Sequence, residues 1–392
     1  MRRLQPDSAI PPYIFKAYLA KSKLRGSLNY IQQALVVQWI EQIRPKDKMG
    51  VRFPPRAHHE IVLSLSLIFA IINPMALDLI LFVVGFVALL KGADFLVEGA
   101  SSLAKRFGVS TLFIGLTVVA FGTSMPELVV NIFASANGQS DIAIGNILGS
   151  NIANILLILG VAATISGLTL SRGTVWREIP FALWAVLAGA ILANDALIDG
   201  FDFSLLTRSD GLILLGFFTI FIYYAISVSK DNGIEKIKVE KLPIPRSVIM
   251  IALGIVGLII GGKWIVDGAV TIARAFAVSE SLIALTIIAI GTSLPELATS
   301  AVAAYKKKSN IAVGNIVGSN IFNIFFVLGI SAVIRPIPFS QNLISDVVVA
   351  LGATVILFFA AFVGNKNAMD RWQGVLFLTL YAIYIVYLVI RG

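Results

Sequence analysis

The chain has no cysteine among its 392 residues, which excludes disulfide bonds, thiolate metal ligands and a cysteine nucleophile. Its two histidines, His58 and His59, both precede the long apolar runs. Their position excludes a histidine proton relay or a histidine-bound metal within those runs. Charge is scarce as well, because Asp, Glu, Lys and Arg make up 14% of the residues, against about 25% in a soluble domain.

Apolar residues are what the chain has in abundance: they account for 57% of it, and the mean hydropathy is +0.89. Runs long enough to cross a bilayer, roughly 17–25 residues each, recur from residue 76 to residue 390. A transmembrane β-barrel would instead show weakly alternating segments of about 10 residues. The sequence therefore predicts an all-α polytopic membrane protein. The ten candidate spans are residues 76–100, 110–137, 142–165, 176–194, 211–229, 247–273, 279–305, 310–333, 342–363 and 370–390.

Residues 1–74 differ from the rest of the chain in charge. They hold 11 Lys and Arg against 4 Asp and Glu, whereas residues 75–392 hold 20 against 18. The basic balance is therefore mostly a property of this segment and implies no nucleic-acid partner. We expect residues 1–74 to be a basic extension that is either disordered or an artefact of gene-start assignment, with translation beginning at Met75.

The distribution of Lys and Arg predicts how the spans are oriented. The loops after spans 1, 3, 5, 7 and 9 hold 14 of these residues, whereas the other loops and the C-terminus hold 4. Because cytoplasmic loops carry the basic excess, both ends of the ten-span core are expected outside the cell. The core then comprises a first repeat at residues 75–229, a cytoplasmic linker at 230–246 and a second repeat at 247–392.

The two halves of the core repeat each other at an offset of 169 residues. Between residues 122–160 and 291–329, 21 of 39 positions are identical. Five spans per half is an odd number, so equivalent helices cross the membrane in opposite directions. Such inverted repeats are typical of secondary transporters, which bind their substrate near the midplane, where the repeats meet.

The first repeated motif reads "AFGTSMPELV" at residues 120–129 and "AIGTSLPELA" at residues 289–298. Pro126 and Pro295 each remove a helical hydrogen bond, which frees backbone carbonyls that a membrane tolerates only beside a cavity or a ligand. We therefore expect helices 2 and 7 to be broken. The oxygen-bearing positions at these breaks are the carbonyls of Ala120 and Ala289 and the side chains of Thr123, Ser124, Glu127, Thr292, Ser293 and Glu296.

The second repeated motif is Gly-Asn-x-x-Gly-Ser-Asn-x-x-Asn, at residues 145–154 and 314–323. Its glycines are spaced by four and allow neighbouring helices to approach closely. Its polar residues, also spaced by four, share one helix face, with one further asparagine at the edge. In the first copy these are Asn146, Ser150, Asn154 and the edge residue Asn151, and in the second they are Asn315, Ser319, Asn323 and the edge residue Asn320.

The two motifs together offer only oxygen ligands: two carboxylates, hydroxyls, amide oxygens and freed backbone carbonyls. Hard cations such as Ca²⁺ take six to eight ligands of this kind, whereas the nitrogen and sulfur ligands that zinc and copper favour are missing. A carboxylate within a membrane span costs about 2.5–3.5 kcal/mol and usually marks a functional site. The sequence therefore predicts a site for a hard cation around Glu127 and Glu296.

These motifs closely resemble the two alpha repeats of the cation/calcium exchanger superfamily, in its prokaryotic sodium/calcium exchanger branch, and the resemblance covers about residues 76–390. It implies ten transmembrane helices in two inverted five-helix repeats. It also implies exchange of Na⁺ for Ca²⁺ by alternating access in the plasma membrane, without enzyme activity. Ca²⁺, Na⁺ and the lipid bilayer are the partners implied, with no cofactor and no obligate protein partner.

The resemblance also implies a role for each site residue. Glu127 and Glu296 would be the main Ca²⁺ ligands and would be shared with Na⁺. Asn154 and Asn323 would contribute from helices 3 and 8. Some relatives have Asp where this chain has Asn323, so only two carboxylates face the site, which leaves K⁺ co-transport and stoichiometry open. The Na⁺ sites would be completed by Thr123, Ser124, Ser150, Thr292, Ser293, Ser319 and the carbonyls of Ala120 and Ala289, with Asn151 and Asn320 at the edge.

Other functions remain open at this stage. The main alternative is a Ca²⁺/H⁺ antiporter, because glutamate also carries protons. A passive channel or an intramembrane glutamate protease fits less well, since broken inverted repeats favour alternating access and the core lacks histidine. Spans 1 and 6, with Glu98 and Asp267 at equivalent positions, are predicted to be a moving pair of gate helices whose acids lie near the water interface.

Overall fold

A computed structural model of the chain describes the backbone of residues 55–200, 202–229, 241–276 and 289–391, with side chains from Leu77 onward except that of Ala289. The chain divides into two compact units, Met1–Leu77 and Asp78–Gly392. Both sequence motifs lie in the second unit. The predictions made for residues 1–54 and for most of the 230–246 linker fall outside the described residues.

The described residues are mostly helical, with four two-residue strands in the loops between helices. The helices are α1 (Pro55–Phe107), α2 (Thr111–Thr123), α3 (Met125–Ala136), α4 (Ser140–Ser166), α5 (Thr174–Leu192), α6 (Asp195–Ile198), α7 (Arg208–Ser227), α8 (Ile244–Ala275), α9 (Ala289–Gly291), α10 (Leu294–Tyr305), α11 (Ser309–Ile334), α12 (Ile344–Ala360) and α13 (Arg371–Arg391). The strands are β1 (Leu168–Thr169), β2 (Leu205–Leu206), β3 (Ile337–Pro338) and β4 (Ala368–Met369).

Within the described residues, eight helices are long and apolar enough to span a membrane, and a ninth span results if α2 and α3, bent by 48°, are counted as one. The prediction of a helical polytopic membrane protein is confirmed. Of the predicted span 279–305, residues 279–288 lie outside the described part, and α9 and α10 form the rest. α1 begins at Pro55, earlier than the predicted first span, and a proline is well tolerated in the first turn of a helix.

The second motif lies on the most buried helices of the bundle. In their apolar windows, 72% of α4 and 83% of α11 is buried, against 22–44% of the other candidate spans. α11 packs against α2 through its motif glycines, and a Cβ at Gly318 would lie 2.6 Å from the carbonyl oxygen of Leu116. Any larger residue would force the helices apart, so this glycine keeps the polar face of α11 close to the broken helix.

A second pair of helices, α1 and α8, is also packed through glycine. A Cβ at Gly254 would lie 2.7 Å from the Leu96 nitrogen, and one at Gly261 would lie 2.6 Å from the Leu89 nitrogen. The glycines recur every seven residues on both helices, at 85, 92 and 99 and at 254, 261 and 268. Backbone-to-backbone contact therefore runs along the length of this pair.

Short irregular segments complete the fold. β1 pairs antiparallel with β4 and β2 with β3, so each pair joins a loop of the first half to a loop of the second. α4 and α11 each contain a π-helical turn, at Ala153–Leu159 and Asn323–Leu328. Such turns are frequent at functional sites, and here they place Asn154 and Asn323 where the regular helix is interrupted.

Candidate cation site

The breaks of the first motif lie at its serines. Ser124 separates α2 from α3 with φ −82° and ψ 9°, and Ser293 precedes α10 with φ −89° and ψ 5°. Pro126 stands in the first turn of α3, where its missing N–H has no helical acceptor. The proline therefore starts a new half-helix, and Glu127 lies in its N-terminal turn, where the helix dipole favours negative charge. The predicted break is present in the first copy, and Ser293 interrupts the second in the same way.

The two carboxylates are buried and held by serines from both halves. Glu127 and Glu296 are each 1% exposed, and each accepts one hydroxyl from its own half and one from the other half. Glu127 Oε1 accepts from Ser150 (3.3 Å) and Ser293 (3.3 Å), and Glu296 Oε1 accepts from Ser319 (3.4 Å) and Ser124 (3.0 Å). The motifs therefore form one site, to which both halves contribute equally.

Four oxygens at these motifs are buried and lack a hydrogen-bond partner among the described residues: Glu127 Oε2, Glu296 Oε2, Asn154 Oδ1 and Asn323 Oδ1. A buried acceptor without a partner costs about 1–3 kcal/mol, and more when it is charged. A bound cation would remove that cost, because carboxylate and amide oxygens are ligands of hard cations. The available ligands thus fit Ca²⁺ or Na⁺ as the substrate.

The asparagines of the second motif cross-link α4 and α11. Asn151 Nδ2 donates to the carbonyl of Asn320 (3.2 Å), and Asn320 Nδ2 donates to the carbonyl of Asn151 (3.3 Å). Their side-chain oxygens accept from Asn154 Nδ2 (2.9 Å, to Asn320) and from Asn323 Nδ2 (3.0 Å, to Asn151). Asn151 and Asn320 thus fix the helix crossing, while the amide oxygens of the other two stay available.

The threonines of the first motif bond to asparagines of the second motif. Thr123 Oγ1 donates to Asn315 Oδ1 at 3.0 Å, and Thr292 Oγ1 donates to Asn146 Oδ1 at 3.3 Å. The carbonyl of Ala120 accepts the Thr123 hydroxyl at 3.3 Å and the Ser124 N–H at 3.0 Å. The side chain of Ala289 lies outside the described residues. These groups surround the serine–glutamate centre.

Two further residues, Asn131 and Ser300, extend this network and were not predicted from the sequence. Asn131 donates to the carbonyl of Ala143 (2.9 Å) and accepts from Asn146 Nδ2 (2.6 Å). Ser300 accepts from Asn315 Nδ2 at 3.0 Å. Each lies four residues after a motif glutamate, and this spacing on one helix face is the signal that could have found them.

The described residues contain no cluster of three or more His, Cys, Asp or Glu side chains, so the centre provides two carboxylates. The site lies inside a bundle of apolar helices, where two half-helices begin and two carboxylates each accept a hydroxyl from the opposite half. These features are typical of membrane antiporters for cations. The family model described as "Sodium/calcium exchanger protein" matches residues 77–227 and 246–390. The chain belongs to this family, and the predicted membership of the cation/calcium exchanger superfamily is confirmed.

Relatives of the chain are similar over most of its length. The inner membrane protein YrbG of Escherichia coli (strain K12) is 39% identical over 67% of this chain and 81% of its own. The sodium/calcium exchanger MaX1 of Methanosarcina acetivorans is 31% identical over 80% of this chain and 99% of its own. A solved structure of the sodium-calcium exchanger NCX_Mj, soaked with Na⁺ and Ca²⁺, superposes with a TM-score of 0.68 and 32% identity, covering 79% of this chain and 98% of that one.

Proposed function

We propose that this protein is a secondary transporter that exchanges Na⁺ for Ca²⁺ across the plasma membrane by alternating access. The proposal rests above all on the interlocking of the two carboxylates, each of which accepts a serine hydroxyl from the opposite half. A site built in this way changes whenever one half moves against the other. It therefore couples ion binding to the movement that exposes the site to one side of the membrane or the other.

Competition for the same two carboxylates accounts for antiport. Glu127 and Glu296 together carry two negative charges, which neutralise one Ca²⁺ or two Na⁺, and a third Na⁺ would move net charge across the membrane. An ion-free site would carry both charges through the apolar interior, which is costly. The loaded forms are therefore the ones expected to change conformation, so one ion leaves only when the other has replaced it.

We assign the ion ligands in two tiers. Glu127, Glu296, Asn154 and Asn323 bind Ca²⁺, since their free oxygens are buried together with the motif serines. The Na⁺ sites use the same carboxylates, and Asn151 and Asn320 hold the helix crossing. The remaining Na⁺ ligands are the hydroxyls of Ser124, Ser150, Ser293, Ser319, Thr123 and Thr292 and the carbonyls of Ala120 and Ala289.

We further propose ten helices in two inverted five-helix repeats. Contacts that recur at the 169-residue offset support this arrangement, outside the site as well as within it. Ser247 Oγ donates to Ser102 Oγ at 3.0 Å, and at the offset positions Thr271 Oγ1 donates to Asp78 Oδ2 at 2.8 Å. These two contacts lie near opposite ends of the α1–α8 pair, as a two-fold axis in the membrane plane requires.

Calcium uptake by proteoliposomes tests the proposal. Vesicles loaded with Na⁺ and diluted into Na⁺-free buffer at clamped pH should accumulate ⁴⁵Ca²⁺, and the Glu127→Gln/Glu296→Gln variant should not. Uptake that follows a proton gradient and ignores Na⁺ would show a Ca²⁺/H⁺ antiporter instead. Flux that is independent of every gradient would show a channel.

A further inference from the structure

Four charged side chains that the cation site does not use meet at one end of α1. Lys306 contacts Asp94, and its Nζ lies 2.9 Å from Glu98 Oε1. Lys308 Nζ lies 3.0 Å from the same Glu98 oxygen. The two acids belong to α1, whereas the lysines flank the turn between α10 and α11. We call the cluster of Asp94, Glu98, Lys306 and Lys308 the ionic latch.

The ionic latch is partly shielded from water. The side chain of Lys308 is 6% exposed and that of Lys306 is 25% exposed. Burial pulls the pKa of Lys306 down, but hydrogen bonds with Asp94 and Glu98 outweigh it and hold that pKa above its ordinary value. Burial lowers the pKa of Lys308, so its ammonium depends on the Glu98 carboxylate for compensation. A shielded network of this kind contributes more than an isolated surface pair.

The positions equivalent to the four latch residues do not form a latch. At the 169-residue offset, the positions of the two latch lysines are occupied by the neutral residues Asn137 and Gln139. The positions of the two latch acids hold Lys263 and Asp267, which pair with each other on α8. Within the described residues, therefore, ion pairs connect α1 to the 306–308 turn, whereas the equivalent positions of α8 form no ion pair with the 137–139 turn.

Backbone conformation does not account for this difference. Lys307 has φ 59° and Gly138 has φ 73°, so both turns use a left-handed residue at the same place. Burial does differ, because Lys308 is buried whereas Gln139 is exposed. Charge and packing thus distinguish the 306–308 end from the 137–139 end.

Because α1 and α8 are packed tightly together, an ion pair that fixes the position of α1 also fixes that of α8. The two helices touch backbone to backbone along their glycines, and the hydroxyl of Ser247 joins them near the latch end by bonding to Ser102 at 3.0 Å. They can therefore separate from the core helices only as one body. The 306–308 turn directly connects α10, which carries Glu296, to α11, which carries Asn323.

We propose, on the basis of the alternating-access function proposed above, that the ionic latch holds the 306–308 end closed and so favours access to the cation site from the 137–139 end. Opening the 306–308 end separates Lys306 and Lys308 from the acids of α1. Opening the other end breaks no equivalent ion pair within the described part of the chain. By the distribution of Lys and Arg, the latched end is the cytoplasmic one.

Single-cysteine labelling tests the ionic latch, and the absence of native cysteine makes it direct. Thr299→Cys reports on the latched end, because Thr299 is 0% exposed and lies one turn from Glu296 toward residues 306–308. Val130→Cys is its counterpart at the 169-residue offset. In nanodiscs, Lys306→Gln/Lys308→Gln should raise the rate of maleimide labelling at Thr299→Cys by about tenfold and lower it at Val130→Cys.

Matched variants separate the latch from a general loss of packing. Lys263→Gln/Asp267→Asn removes the ion pair at the equivalent positions and should leave labelling at Thr299→Cys unchanged. The charge-swapped variant Asp94→Lys/Glu98→Lys/Lys306→Glu/Lys308→Glu should restore slow labelling. The swapped protein also gives the answer if the neutral variant does not fold. Unchanged labelling in the neutral variant, or an equal increase with Lys263→Gln/Asp267→Asn, would overturn the proposal.

Failure of the latch and failure of the proposed function have different signatures. Labelling needs no ion gradient, so it reports on the ionic latch whichever ion is coupled to Ca²⁺. Latch-dependent labelling without Na⁺-driven ⁴⁵Ca²⁺ uptake would contradict Na⁺/Ca²⁺ exchange alone. Na⁺-driven uptake with latch-independent labelling would contradict the ionic latch alone.

Discussion

The surroundings of Glu127 and the surroundings of Glu296 are built from contacts of the same pattern. Each carboxylate accepts two serine hydroxyls at 3.0–3.4 Å. The pattern continues where the residue types differ. Asn131 donates to the carbonyl of Ala143, and its counterpart Ser300 donates to the carbonyl of Ala312. Position in the two halves, and not residue identity, therefore decides what a side chain contacts near the site.

The halves diverge at two places close to this shared pattern. Val130 corresponds to Thr299, whose buried hydroxyl lacks a partner in the described part of the structure. The neutral 137–139 turn corresponds to the charged 306–308 turn. Because the two ligand sets are equal, the site would bind the same ions from either side of the membrane. Because the 137–139 and 306–308 turns differ, the two ends of the protein would open at different free-energy costs.

Removing one carboxylate is the most severe way to break the equality of the two halves. Glu127→Gln and Glu296→Gln should each abolish Ca²⁺ transport, a loss of more than about 100-fold, because one remaining negative charge cannot neutralise a desolvated divalent cation. The measurement is initial ⁴⁵Ca²⁺ uptake driven by a Na⁺ gradient. Asp199→Asn, at an exposed loop residue, should transport normally. Near-normal uptake in either glutamate variant would place the ion elsewhere.

The serine pair that crosses between the halves should give equal, smaller effects. Ser124→Ala and Ser293→Ala each remove one hydroxyl bonded to the opposite glutamate. Hydrogen bonds to charged groups contribute roughly 1.5–3 kcal/mol. Each variant should therefore weaken the apparent Na⁺ affinity by about tenfold or more, measured as the Na⁺ concentration that half-activates exchange. A large effect in one and none in the other would mean that the two halves bind different ions.

The predictions from sequence concentrated on positions where the two halves are identical. Glu127, Glu296, Asn154 and Asn323 were singled out because the motifs recur at one offset, and the structure brings them together at the broken helix that a proline within an apolar run had marked. Asn131 and Ser300 were missed because identity between the repeats was the criterion, and these two positions differ. The exact residue of the break, Ser124, could not be predicted, because a proline fits equally well inside a kink and at the start of a helix.

Features made by distant residues could not be predicted from local pattern. Lys306 and Glu98 are 208 residues apart, and the basic run 306–308 was used only to orient the spans. The structure places Glu98 in the ionic latch and Asp267 in a pair within α8, although the sequence makes them equivalent. The two-residue strands are too short to show an alternating period.

Variants of Asn131, whose counterpart in the second half is Ser300, should show how far position in the repeat outweighs residue type. Asn131→Ser gives the first half the side chain that serves the second, so it should retain most of the stability. Asn131→Ala removes the contacts with both Asn146 and Ala143 and should cost about 1–2 kcal/mol in unfolding free energy, as interhelical hydrogen bonds in membranes do. Thermal unfolding in detergent measures both variants. Equal losses would show that the second half tolerates serine for a reason of its own.

The smallest expected effect concerns the other divergent pair. Thr299→Val removes a buried hydroxyl that lacks a partner within the described residues and makes this position match Val130. Relief of an unpaired buried hydroxyl should stabilise the protein by about 1 kcal/mol, seen as a melting temperature higher by a few degrees. Val130→Thr is the control and should change little, because that position is only partly buried. A lower melting temperature for Thr299→Val would mean that the Thr299 hydroxyl has a partner when the protein is in its working environment.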